Sequence, residues 1–296
     1  MVVKKSNLED IIINAVTVIF VSVFAIFTIY PIFYCLINAL SEGKEALIGG
    51  IYFLPKGFTL KNFEFVFSAK NLFNSLLMTV LRTSIGTFLA IICTSMAGYA
   101  LAQKNLIGKK FYMIVGLITL YFPVNVVYSY LLYAQIGLLD NFSVYILPNL
   151  FQFYYMILFI SFVKELPNGL IESARIDGSS EFTVLFKIIM PISKPIIATL
   201  ALFIGVWHWN DWFSPAFFIT DESLMTMPAV LMRTMSLTQA QQELQKVMSV
   251  SSQANVVTPE SIRYAMLIVA VTPITLVYPF IQKYFVKGMM IGSVKE

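Results

Sequence analysis

The three tryptophans of this chain fall in one window, Trp207-His208-Trp209-Asn210-Asp211-Trp212. Aromatic faces stack on sugar rings and Asn or Asp side chains bond hydroxyl groups, so the window is chemically suited to gripping a carbohydrate. On a helix, Trp209 and Trp212, three apart, share a face, as do His208 and Trp212, four apart. An aromatic belt at a membrane surface, with Asp211 capping or pairing there, accounts for the same residues. Arg82 is a second isolated polar group, set inside a hydrophobic run where an unpaired cation is costly. Pairing with a partner chain or lining a wet cavity would relieve that cost, and the sequence does not choose between them.

A larger polar island runs from Lys164 to Pro195, KELPNGLIESARIDGSSEFTVLFKIIMPISKP, between two apolar segments. Pro167 can begin a short helix that Asn168 to Ile176 continue, and Gly178 supplies a turn position. Ser179 or Ser180 can then cap a second segment starting at Glu181, which the pair Pro191 and Pro195 ends before the next apolar run. The first helix offers small residues for close approach and Leu170, Ile171 and Ile176 to fill a socket, the pattern of a docking helix.

Other chemistries lack their residues. Phosphate loops need G-x-x-x-x-G-K-[ST], and the nearest string, Ile107-Gly108-Lys109-Lys110, has neither the first glycine nor the hydroxyl residue. His208 is the sole histidine and no H-E-x-x-H or G-x-S-x-G string occurs, so metal or triad chemistry is not expected. Cys35 and Cys93 lie far apart within apolar runs and read as packing residues. Catalytic residues and a metal site are accordingly expected to be none.

These residues are carried by an apolar framework. Of 296 residues, 58% are hydrophobic and 12% charged, about half the charged share of soluble domains. Windows of about 20 apolar residues mark six spans, about 11–40, 72–102, 111–135, 142–163, 196–219 and 261–285, in a single transmembrane domain covering 1–296. Phe122, Pro123 and Asn125 interrupt the third span, which reads as a kink. The first span is too long for a cleaved signal and is expected to be retained. Twelve of the 20 basic residues, among them Lys4, Lys109, Lys164, Arg175 and Lys295, fall on the side of both termini and of the 164–195 loop, which places that side in the cytoplasm. The segments Ser41 to Lys70 and Thr220 to Glu260 are then external, the second with an amphipathic character suited to a surface. The net charge of +4 follows from this asymmetry, so no nucleic-acid partner is expected.

Glu172-Ser173-Ala174, three residues, Gly178, nine residues, then Ile188-Ile189-Met190-Pro191 resembles the EAA loop, E-A-A-x3-G-x9-I-x-L-P, of ABC importer permeases. Ser173 and Met190 are its departures. The whole chain is similar to carbohydrate permeases of the MalG class, and to oligosaccharide permeases of the LplC and YtcP kind. The resemblance implies an all-α integral membrane fold of the MalFG type (type I) with six helices. It implies that Glu172, Ser173, Ala174, Asp177, Gly178, Ile188 and Pro191 couple to a cytosolic ATPase dimer, which carries ATP and Mg while this chain holds no cofactor. A second, nonidentical permease subunit and an extracellular lipid-anchored solute-binding protein complete the implied assembly, with the external loop between the last two spans meeting the latter. The membrane would be that of a bacterium, Gram-positive by the resemblance, and the solute an oligosaccharide derived from fructan or pectin. Trp209, Asn210, Asp211, Trp212 and Arg82 are the candidate pathway residues. The rival readings are an ion-coupled secondary carrier, a permease for another solute and a membrane-embedded enzyme. Away from the span ends, Arg82, His208 and Asp211 are the only acidic, basic or imidazole groups within the spans, too few for an ion relay or a catalytic constellation.

Overall fold

A computed structural model describes residues 8–68, 70–122, 124–236 and 257–293, and among these every regular element is helical. They divide into two compact units, residues 1–69 with 234–271 and residues 70–233 with 272–296.

The first unit opens with α1, Leu8–Ala39, whose apolar side chains from Leu8 to Phe33 are almost all exposed. A helix apolar on every side is not stable in water but suits hydrocarbon, where its backbone groups are satisfied internally. After it come α2, Gly43–Ile48, and α3, Lys61–Ser68. Asn62 is fully buried and ties them together: its amide donates to the carbonyls of Ala39 at 2.8 Å and Ser41 at 2.9 Å, and its oxygen accepts from Ser261 Oγ at 2.8 Å. The segment 41–68 is thus an ordered, hydrogen-bonded structure rather than a simple loop.

The second unit is built on α4, Lys70–Ala102, followed by α5, Lys109–Tyr121, α6, Val126–Gln135, α7, Phe153–Glu165, α8, Asn168–Ile176, α9, Glu181–Ile192, α10, Lys194–Asn210, and α11, Phe213–Phe218. α12 begins at 227 and is described as far as 236, and α13, Pro259–Ser293, supplies its second half to this unit. α4 packs along α10 and α7. Glycines allow the close approach: a Cβ on Gly86 would lie 2.6 Å from His208 Nε2, and one on Gly98 2.9 Å from Phe159 Cδ1. The core formed at these contacts includes Phe159, Val184, Leu185, Ile189 and Leu200.

α1, α4 and α13 are each long and apolar enough to cross a membrane, and the number rises to six if each of three bent pairs counts as one span. Those pairs are α5 with α6, the 3-10 turns of Phe142–Asn149 with α7 at 47°, and α9 with α10 at 83°. Asn125 caps α6, its side chain accepting from Val127 N at 3.0 Å, while Pro123 lies outside the described residues. The run read from sequence as 196–219 is not one helix: it stops at Asn210, and α11 is a separate short piece. Asp211 causes the break, because its extended backbone leaves the helix while its carboxylate caps α11 through Phe213 N at 2.9 Å and Ser214 N at 3.1 Å. The amphipathic stretch expected in 220–260 lies mostly in 237–256, outside the described residues.

Candidate functional site

Two constellations stand on α4, one at its C-terminal end and one in its N-terminal half. At the first, α8 ends in a Schellman turn: Gly178 N donates to Arg175 O and Ser179 N to Ala174 O, both at 3.0 Å. Gly178 adopts φ +77°, the left-handed conformation open to glycine, and nothing else lies within 4 Å of where its Cβ would be. Asp177 is the C-cap. Ser180 accepts from Thr183 N at 3.3 Å and starts α9, which settles which serine caps it. The middle of α9, Val184–Ile189, winds as a π-helix and buries Val184, Leu185 and Ile189 in the core. Pro191 does not end α9 but sits in its last turn, and the chain breaks at Ser193.

Ala174 is buried and Ile171 packs beside it, which turns the opposite face of α8 outward. That face carries Gly169, Glu172, Ser173 and an Ile176 that is 85% exposed. Ile188 packs against the core and Pro191 is exposed. The EAA positions therefore separate into exposed ones, Glu172, Ser173, Asp177, Gly178 and Pro191, and the supports Ala174 and Ile188 that pack inward.

A network holds α8 in place. Arg175 donates through Nε to Glu181 Oε1 at 2.8 Å and through Nη2 to Glu181 Oε2 at 3.2 Å and Gln103 Oε1 at 2.9 Å, and Tyr99 Oη donates to Glu181 Oε2 at 2.6 Å. Hydrogen bonds from Arg175 first and Tyr99 second hold the Glu181 carboxyl below its ordinary pKa. Tyr99 lies in the last turn of α4 and Gln103 directly follows it, so these bonds fasten both α8 and α9 to its end. The opposite charges of Arg175 and Glu181 six residues apart were a visible signal in the sequence; their partners Tyr99 and Gln103 were not.

The second constellation centres on Arg82, fully buried on α4. It forms an ion pair with Asp211 through Nη2, and Nη1 donates to the Asp211 carbonyl at 3.1 Å. The pair lies within one chain, an arrangement absent from the two readings the sequence left open. The guanidinium stands 4.5 Å from the Tyr145 ring centroid and 5.8 Å from that of Trp207, close enough for cation–π attraction at the first and on its outer limit at the second. Tyr145 is itself anchored by Oη donating to Leu224 O at 2.8 Å. His208 is buried beside Trp207 and above Gly86.

Because α10 stops at Asn210, the expected sharing of a face between Trp212 and Trp209 or His208 does not arise. Trp209 is buried and borders an apolar groove among α4, α10 and α13. Asn210 and Trp212 instead line a separate cavity of about 640 Å³ with Trp207, Tyr155 and Tyr278. The tyrosines come from α7 and α13, positions that no local pattern in the sequence connects to the tryptophan window. Among the described residues no group of three or more His, Cys, Asp or Glu is placed to hold a metal.

Residues 86–291 match the family of binding-protein-dependent transport system inner membrane components. The chain is 30% identical over 98% of its length to a polygalacturonan/rhamnogalacturonan transport system permease protein of Bacillus subtilis, YtcP, 99% of which is covered. It is 34% identical to protein LplC of the same organism, over 90% of each chain. The fold superposes with a TM-score of 0.84 on a chain of a bacterial ABC transporter involved in import of the acidic polysaccharide alginate, at 23% identity and covering 95% of this chain and 99% of that one. With a mostly apolar helical framework of several candidate spans and relatives named as sugar permeases, the chain belongs to the binding-protein-dependent transport system inner membrane components, as a multi-pass carbohydrate ABC permease.

Proposed function

We propose that this chain is one of two nonidentical permease subunits in an ATP-driven importer of an oligosaccharide derived from plant material such as pectin or fructan. Its α8 docks in a cleft of a cytosolic ATPase subunit that binds ATP and Mg, and a lipid-anchored binding protein delivers the sugar from outside. The supporting observation is the exposed face of α8, where Ile176 stands clear of the protein beside Glu172 and Ser173. An isolated isoleucine on a loop helix gains most when a partner covers it. Both termini and the 164–195 loop are then cytoplasmic, in a Gram-positive plasma membrane. The relatives' names favour a sugar solute, and the pectin-type name of YtcP supports the plant-derived class.

In this reading the closing motion of the ATPase dimer carries α8 with it, and the bonds from Arg175 and Glu181 to Tyr99 and Gln103 pass the displacement to α4. Alternating access follows from rigid elements moving about the coupling loop. Gly178→Pro removes both the left-handed turn and the amide that bonds Arg175 O, and Glu172→Lys reverses charge on the exposed face. Each variant, assayed in proteoliposomes holding the full complex, should lose ATP-dependent uptake. Wild-type uptake together with sugar-stimulated ATP hydrolysis in both would refute the docking role.

A further inference from the structure

We infer that the cavity of Tyr155, Trp207, Asn210, Trp212 and Tyr278 is a carbohydrate subsite that takes an uncharged sugar ring. This inference rests on the proposal that the solute is a sugar, and it assigns the contact to this chain and to particular side chains.

Size comes first: about 640 Å³ is within the range of small-ligand sites, roughly 300 to 1,000 Å³. Five aromatic residues contribute to the lining, and Trp207, Trp212 and Tyr278 are between 37% and 50% exposed, so ring surface is open to an occupant. Stacking on the apolar face of a pyranose needs such surface, and indole N–H and phenol O–H groups at the ring edges can meet its hydroxyls. Asn210 donates its amide hydrogens to Val206 O at 2.9 Å, which fixes the side chain and leaves its oxygen to accept from a hydroxyl.

Charge then decides the kind of sugar. Among the described residues Asp211 is the one charged residue that lines the cavity. Its carboxylate is neutralised by Arg82 and also caps α11, and both terminal nitrogens of Arg82 point to Asp211. No unpaired cation is therefore offered to a uronate carboxylate, whose desolvation in an aromatic cavity would go uncompensated. A neutral residue of the oligosaccharide meets no such penalty.

Galactotriose and trigalacturonate differ at C6, hydroxymethyl against carboxylate, and serve as the probes. Saturation-transfer difference NMR on the purified whole complex, without binding protein, should show saturable binding of galactotriose. Trigalacturonate should bind at least about tenfold more weakly, because a carboxylate is left unpaired. Trp207→Ala and Tyr278→Ala should each weaken galactotriose by about tenfold, the order expected for one lost aromatic contact, while Trp207→Phe retains most of the affinity. All three variant complexes should co-elute with the ATPase subunits on size exclusion as the wild type does, which shows that the complex remains assembled. Unchanged galactotriose binding in the alanine variants, equal or tighter binding of trigalacturonate, or no saturable binding of either sugar would overturn the inference; the last would leave the cavity to lipid or to the partner subunit. Failure of the transport proposal has a separate signature, a wild-type complex with no ATP-dependent uptake.

Discussion

The two ends of the polar machinery on α4 differ in almost every physical respect. At Tyr99 and the adjoining Gln103 the end of the helix is joined to α8 and α9 through an ion pair that is largely exposed, with Arg175 at 41% and Glu181 at 55%. At Arg82 it is joined to the α10–α11 break by a pair that is 0% and 8% exposed. Exposed ion pairs contribute about 0.2 to 1 kcal/mol, whereas removing one partner of a buried pair costs about 3 to 5 kcal/mol. The first joint is held by several weak bonds, each of which can break and re-form at small cost. The second is an anchor, and it fixes Trp207 and the start of α11 wherever α4 goes.

The largest expected effect breaks the anchor. Asp211→Leu should lower the unfolding free energy of the complex by about 3 to 5 kcal/mol, measured by SDS-induced unfolding in mixed micelles. Adding Arg82→Leu should restore most of it, since the second substitution removes the stranded cation; a double variant as unstable as the single would show that the cap on α11 matters more than the charge. Gly86→Ala comes next. Its methyl group would meet the His208 ring, a case of overpacking that costs about 1 to 3 kcal/mol, and the same titration should register it.

Gly178→Ala should cost about 1 to 2 kcal/mol from backbone strain alone, because no neighbour obstructs the new methyl group. Here the decisive reading is transport: uptake should fall more than stability does. The smallest effect is Glu181→Gln, below about 1 kcal/mol in unfolding, with a clear pH signature. The Glu181 carboxyl titrates below its ordinary 4.5 because Arg175 and Tyr99 bond its charged form. Its contribution is full above that value and disappears as pH falls through the lower folded value. Wild-type and variant stability should therefore differ by a constant amount from pH 6 to 8 and converge on acidification; a difference that grew toward alkaline pH would reverse the assignment.

The same contrast explains what could be read without coordinates. The α8 turn was legible because its signals are local: Pro167 before the helix, Gly178 after it, a serine before Glu181, and a spacing that the EAA motif preserves. The apolar runs were legible too, since about 20 uncharged residues in succession have few soluble uses. The Arg82–Asp211 pair was not, although these were among the few ionisable residues in the apolar runs. Its partners are 129 residues apart and no periodicity relates them. The break at Asn210 was missed because Asp211 looks apolar-run compatible until its cap on α11 is seen. Tyr155 and Tyr278, which complete the aromatic cavity, carry no mark in sequence that separates them from lipid-facing tyrosines.

Coupling requires that α8 face the cytoplasm and that an ATPase subunit cover it. Ile176→Cys in a chain whose Cys35 and Cys93 are replaced by alanine places a single thiol at the exposed tip of that helix. A membrane-impermeant maleimide applied to intact cells should leave it unlabelled, labelling should follow permeabilisation, and the ATPase subunit should protect it when the whole complex is assembled. Labelling in intact cells, or equal reactivity with and without the ATPase, would contradict the coupling role.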